Sequence, residues 1–415
     1  MNRSPLVVIF TTVFIDLVGF GIVIPVLPFY AEGTAFNATP RMVGLLFASY
    51  SVMQLIFSPV LGGLSDKYGR RPVLLLSIIG TGIGFLILGL AKTLVMLFVG
   101  RIIDGITGGN ISTAYAYIAD ITTEENRAKG MGLIGAAFGL GFIFGPAIGG
   151  ILSRWGIHVP FIFAAVLCFA NAMLLYFTLP ETVTPDHPAK NSAARGRSLR
   201  QVMLSLKQPR LAFVLVIYFL FIVAFSIMTT AFSLYTMFRF GYDAQHTGYL
   251  FAYVGLIAVI IQGGLIGRLV KRFGELPLVI VGALCFAISL FAVPFVGPAA
   301  GGLAALLVGG GVFSMGNSLA TPALTSLASK SAGPAQQGVV LGVTQSTASL
   351  ARAVGPSLAA ILISSSIAHL GADGLPHYMS DQSLFITFWT AAAIMFVAFL
   401  LAFYLAANKR RLTQG

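Results

Sequence analysis

Charge is what this sequence has least of. Asp, Glu, Lys and Arg make up 9% of 415 residues, and only 13 of them are acids, against about 25% charged residues in an ordinary soluble chain. That scarcity excludes a solvated globular surface. Cysteine is nearly absent too: Cys168 and Cys285 are the only two, both lie in apolar stretches, and they suggest neither a disulfide framework nor a thiolate metal site. They read as packing residues. The chain has no phosphate-binding P-loop and no His-Glu-x-x-His pattern, and none of its five His residues stands with a partner at metal-ligand spacing. An enzyme, a cofactor and an ATP-driven pump are therefore not expected, and an ion gradient is left as the power source.

What is abundant is hydrocarbon. Hydrophobic residues reach 57%, mean hydropathy is +0.92, and stretches of about 20 apolar residues, the length that crosses a bilayer core, recur twelve times. They fall near 6–29, 43–64, 73–92, 95–119, 129–152, 159–179, 211–236, 247–267, 277–297, 300–328, 338–366 and 383–407. The expectation is an all-α polytopic membrane protein of the plasma or bacterial inner membrane, in contact with lipid and monomeric. The first stretch is too long for a signal-peptide core and has no small-residue cleavage site behind it, so it is expected to stay in the mature fold.

Sorting Lys and Arg into alternate loops puts nineteen on one side, from Arg3 through Arg70, Arg71, Arg127 and the 181–210 segment to Arg411, and four on the other, Arg41, Lys92, Arg154 and Arg239. By the positive-inside rule both termini are cytoplasmic. The net charge of +12 is then a matter of topology and anionic headgroups, and nucleic acid is not an expected partner.

One long polar interruption divides the chain. Residues 181–210 form a basic, Pro- and Ala-rich linker, within which "SLRQVMLSLK" (198–207) has the spacing of a short amphipathic surface helix. It separates six-helix bundles at 1–180 and 211–415, and these look like copies of each other. "GGLSDKYGRRPVLL" (62–75) is echoed by "GRLVKRFGELPLVI" (267–280), and "GPAIGGIL" (145–152) by "GPSLAAIL" (355–362). Parallel repeats of this kind place a substrate site near the bilayer midplane between the halves. The second copy has Lys271 opposite Asp66 and Glu275 opposite Arg70, so a weaker or differently paired loop is expected there.

Three N-terminal motifs carry a family resemblance. These are "GGLSDKYGRRP" (62–72) with Asp66, Gly69, Arg70 and Arg71; "GRIIDGITGG" (100–109) around Arg101; and "GLIGAAFGLGFIFGPAIGG" (132–150), in which Gly132, Gly141, Gly145, Pro146, Gly149 and Gly150 have the spacing G-x8-G-x3-G-P-x2-G-G. On these the sequence resembles the major facilitator superfamily over essentially its whole length. Its first span and "AYAYIADIT" (114–122) are similar to drug:proton antiporters of the tetracycline-exporter type. The resemblance implies two pseudo-symmetric bundles of six helices, proton-coupled export by alternating access, and an ion-pair cluster of Asp66, Arg70, Arg71, Asp120 and Arg127 that gates the cytoplasmic face. Tetracycline exporters carry acids in helices three and nine and a histidine in helix eight. The corresponding stretches here hold none, so the resemblance does not extend to tetracycline as substrate.

The residues themselves suggest the rest. Asp16 lies about 15 Å into the first span at 1.5 Å per residue, where a bare carboxylate is costly and a proton can be carried from one side to the other; a structural hydrogen bond is the alternative. Arg101 and Asp104 share a helix face at i,i+3 and can compensate each other, either as a purely structural pair or as proton-coupling residues with Asp16, the pair altered when Asp16 or Asp104 binds substrate or a proton. Gln54, Tyr50, Asn110, Tyr115, Asn317, Gln345 and Arg352 are the polar midspan candidates for a substrate cavity, each also explicable by helix packing. Arg352 would either favour an anionic group or pair with Asp104 or a backbone carbonyl across the interface. Gly141, Gly145 and Gly149, four apart, offer a side-chain-free groove, read as a seal between the halves with ordinary close helix packing as the alternative, and Pro146 is expected to bend its helix. A proton symporter or facilitator for a sugar or organic acid is the alternative to antiport.

Overall fold

The computed structural model describes residues 5–33, 36–122, 124–182, 209–331, 337–372 and 374–408, with backbone alone over 124–129, 131–132, 337–339 and 341. Residues 183–208, which hold nearly all of the expected linker and its amphipathic stretch, lie outside the described residues. The N-terminal half comprises α1 (Pro5–Glu32), α2 (Pro40–Tyr68), α3 (Arg70–Gly89), α4 (Leu94–Ile121), α5 (Glu124–Leu152) and α6 (Val159–Thr178). The C-terminal half comprises α7 (Pro209–Phe240), α8 (Ala244–Phe273), α9 (Glu275–Ala292), α10 (Gly302–Lys330), α11 (Gln337–Leu362) and α12 (Asp381–Ala407). A hairpin of two short antiparallel strands, β1 (His369–Leu370) and β2 (Pro376–His377), joins α11 to α12. Eleven of the described helices are long and apolar enough to cross a membrane; α11, with Thr344, Gln345, Ser346, Thr347, Ser349 and Arg352 along it, is the polar exception.

Local chemistry sets the ends. Thr39 caps α2 ahead of Pro40 at the first helical position, and a capping box between Ser380 and Ser383 starts α12. Between α2 and α3 the chain reverses at Gly69, φ +103°, and between α8 and α9 at Gly274, φ +79°, a backbone region that favours glycine. The sequence echo is thus a structural one. The helices outrun the apolar stretches, and this corrects one reading: α8 begins early enough to include His246, bonded to Asp243 at 2.7 Å, and α9 begins on Glu275. Both lie at helix ends and away from the midplane.

Within the halves, α1 packs on α5 and α6, α3 on α4 and α6, α7 on α11 and α12, and α9 on α10 and α12; across the halves, α2 meets α11 and α5 meets α8. These cross-contacts are tight near the face that carries the β-hairpin. A Cβ on Gly44 would lie 2.4 Å from that of Ala360, and one on Gly150 2.8 Å from the Gly248 Cα. Ser233 bonds the Ile24 carbonyl, and His377 lies 3.2 Å from Glu32. Nearer the opposite, basic face a Cβ on Gly135, Gly263, Gly264, Gly267 or Gly342 would meet nothing within 4 Å. The halves are packed tightly at the hairpin face, and these glycines nearer the basic face stand in open space.

Candidate functional site

α4 approaches α2 because glycine lets it. A Cβ on Gly105 would lie 2.4 Å from the Tyr50 carbonyl, and one on Gly109 2.9 Å from Ser58. The α-helix tightens into a 3₁₀ turn at Gly108–Asn110, and the Gly108 carbonyl accepts from Gln54 Nε2 at 2.9 Å while the same amide donates to the Tyr50 hydroxyl at 2.9 Å. Tyr50 is thereby fixed beneath Arg101, whose guanidinium stacks on its ring at 4.3 Å. Arg101 is fully buried and donates to Asp104 at 2.7 Å, while its Nε and second terminal nitrogen have no hydrogen-bond partner. Unmet donors at this depth are costly and mark where water or a ligand belongs. Asp16 on α1 lies near the side-chain amide of the buried Asn110 and within electrostatic reach of Asp104. Among the described residues it forms no salt bridge.

Between the halves lies a cavity of about 400 Å³, its open mouth included. Arg101, Ser51, Phe20, Phe47 and Phe142 line it from the N-terminal half, and Phe225, Ser226, Thr229, Thr230 and Arg352 from the C-terminal half. The rings form a relay across the interface, Phe20 to Phe142 at 5.8 Å and Phe142 to Phe225 at 5.6 Å. Arg352 donates to Ser349 at 3.3 Å, lies 5.9 Å from the Phe138 ring centroid and is within reach of Tyr218, Tyr50 and Tyr115. It does not pair with Asp104, because Arg101 holds that carboxylate.

The polar candidates therefore separate. Arg352 and Arg101 stand in the cavity wall; Tyr50, Gln54 and Asn110 stand behind it and hold Arg101 and Asp16. Tyr115 reaches towards Arg352 and Tyr218. Asn317 accepts from Thr321 on its own helix at 3.0 Å, and neither it nor Gln345 lines the cavity. Sequence reasoning missed Ser51, Ser226, Thr229 and Thr230; the one signal was the polar run "SIMTT" (226–230), which also suits ordinary helix packing.

At the basic face Arg70 is fully buried, with Asp66 at 2.5 Å, Asp120 at 3.0 Å and the Ser65 hydroxyl at 2.7 Å. Glu181, just past α6, accepts from the backbone N–H groups of Arg70 and Arg71 at 2.9 and 3.0 Å, a carboxylate at the positive end of α3. Arg71 bonds the Tyr176 carbonyl and stacks on its ring. The Arg127 side chain lies outside the described residues. This cluster ties α2, α3, α4 and the end of α6 together within one half. In the other half Glu275 pairs with Lys330 and Ser326, so the start of α9 is tied to the end of α10 as the start of α3 is to the end of α4, with the charges exchanged.

The glycine groove takes a different partner from the one expected. Cβ atoms on Gly141, Gly145 and Gly149 would strike Leu17, Gly21 and Ile22 of α1 at 2.6–3.0 Å, so the groove binds α1 inside its own half. Positions four apart drift by only 40° and share that face, whereas Gly150, a further 100° round, turns to Gly248 of α8 and makes the contact between halves. α5 runs unbroken through Pro146, and the backbone at Gly132 is helical.

Residues 9–356 match the family model described as Major Facilitator Superfamily. The chain is 31% identical to the tetracycline resistance protein, class H, of Pasteurella multocida, across 99% of this chain and 98% of that one. It is 30% identical to multidrug resistance protein 2 of Bacillus subtilis (strain 168), across 87% and 89%. In three dimensions it is similar to the crystal structure of the human organic anion transporter MFSD10, with TM-score 0.68 and 24% identity over 97% and 99% of the two chains.

Proposed function

Because the chain belongs to the major facilitator superfamily, we propose that it is a proton-coupled exporter of small amphipathic compounds, working by alternating access. The observation that carries the reading is the division of charge at the centre. Asp104 is taken by Arg101, which leaves Asp16, among the described residues, as the central acid without a salt bridge, one turn from the wall of the cavity between the halves. A group so placed binds a proton or a cationic group of the substrate, and competition between the two produces exchange. Kinship with proteins named for tetracycline and multidrug resistance supports export over metabolite uptake.

In this reading the basic face is cytoplasmic, both termini lie there, and the conformation is the one that collects substrate from the cell. The protein works as a monomer in lipid, with protons as the second ligand. The aromatic relay takes the apolar body of the substrate. When the halves rock to close the basic face, the Arg70 cluster keeps the α2–α3 turn rigid so that it meets the other half as one piece. Reconstituted protein tests this: an imposed proton gradient drives an amphipathic fluorescent compound out of its loading compartment against the proton flow. Substrate and proton moving together would overturn it in favour of symport.

A further inference from the structure

Among the described residues two charged side chains near the centre have no counter-charge, one in each half: Arg352 in the cavity wall, and Asp16 on α1 one turn from the wall residue Phe20. Arg101 and Asp104 compensate each other's charge at 2.7 Å. Near Asp16 stands the Asn110 amide, and Arg352 donates to the Ser349 hydroxyl at 3.3 Å. Both lie within electrostatic reach of Tyr50, and Phe20, one turn from Asp16, shares the cavity wall with Arg352. A neutral ligand would leave two desolvated charges unmatched, a cation would answer only Asp16, and an anion only Arg352.

We propose that the cavity selects amphipathic zwitterions, with an amine read by Asp16 and a carboxylate or similar oxoanion read by Arg352 beside the hydroxyls of Ser226, Thr229 and Thr230. The inference rests on the export reading for its coupling: the amine displaces the proton from Asp16. The anionic end has a separate task. Arg352 is on α11 and Asp16 on α1, so a ligand that engages both spans the halves and draws them together around itself. A fixed guanidinium also matches a carboxylate in two parallel hydrogen bonds, which a point charge does not.

The test is equilibrium binding in detergent, without a gradient, of 6-(aminomethyl)-2-naphthoic acid, its methyl ester and its N-acetyl derivative, read by their own fluorescence. The intact protein is expected to bind the zwitterion at least tenfold more tightly than either capped form. Arg352→Gln should weaken the zwitterion about 10- to 100-fold, the range for a lost charge-assisted bond, and leave the cationic ester unchanged, which also shows that the variant is folded. Arg352→Lys should recover part of the loss. Equal binding of zwitterion and ester by the intact protein, or equal loss of both in Arg352→Gln, would overturn the proposal. Failure of the export reading would appear separately, as flux without proton dependence, and would leave these binding ratios untouched.

Discussion

Arg101 donates to Asp104 at 2.7 Å while two of its other nitrogens have no partner, so the buried pair is compensated in charge and incomplete in hydrogen bonds. Removing one partner leaves an isolated charge at the midplane. Asp104→Asn is expected to cost about 3–5 kcal/mol of stability, seen as a fall in the thermal unfolding midpoint in detergent. Arg101→Gln combined with Asp104→Asn should restore most of that stability and still fail to transport; a double variant as unstable as the single one would contradict this.

The two ion-pair ties differ in burial and should differ in effect. Arg70 is fully buried, so Arg70→Ala removes the cation that Asp66 and Asp120 share and is expected to lower folded yield and stop flux. Lys330 is two-thirds exposed, and Lys330→Ala should cost no more than about 1 kcal/mol. Thermal unfolding of the two variants side by side checks the order.

Gly145 and Gly150 separate packing within a half from contact between halves. Gly145→Leu drives a side chain into the backbone of α1, with Val18 O 2.7 Å from its Cβ, and should unfold the N-terminal half by overpacking. Gly150→Val meets Gly248 across the interface at 2.8 Å. It should leave a folded protein that cannot close its hairpin face, recognised by a normal melting curve together with lost exchange. If Gly145→Leu melts normally and transports, the groove against α1 is not tight.

Much of this architecture is legible in the sequence because lipid imposes a simple rule: twelve apolar stretches became twelve helices, and the echo at 62–75 and 267–280 became two helix breaks on Gly69 and Gly274. The Arg101–Asp104 pair was legible from spacing alone. The face a helix turns to its neighbour was not, since the 141/145/149 stripe suits α1 and α8 equally well in sequence and only three-dimensional packing chooses α1. Glu181 was hidden for a related reason: its partners, the first N–H groups of α3, are 110 residues away in the chain. Hydroxyl residues such as Thr229 and Thr230 have no pattern that distinguishes a cavity wall from an internal helix bond.

Asp16 decides the account most directly. Asp16→Asn keeps the size and the Asn110 contact but cannot exchange a proton. In proteoliposomes loaded with a transported amphiphile, the intact protein should extrude it when a proton gradient is applied, and Asp16→Asn should show no gradient-driven extrusion while unfolding at an unchanged temperature. Gradient-driven transport by Asp16→Asn at the rate of the intact protein would contradict the assignment of Asp16 as the proton carrier.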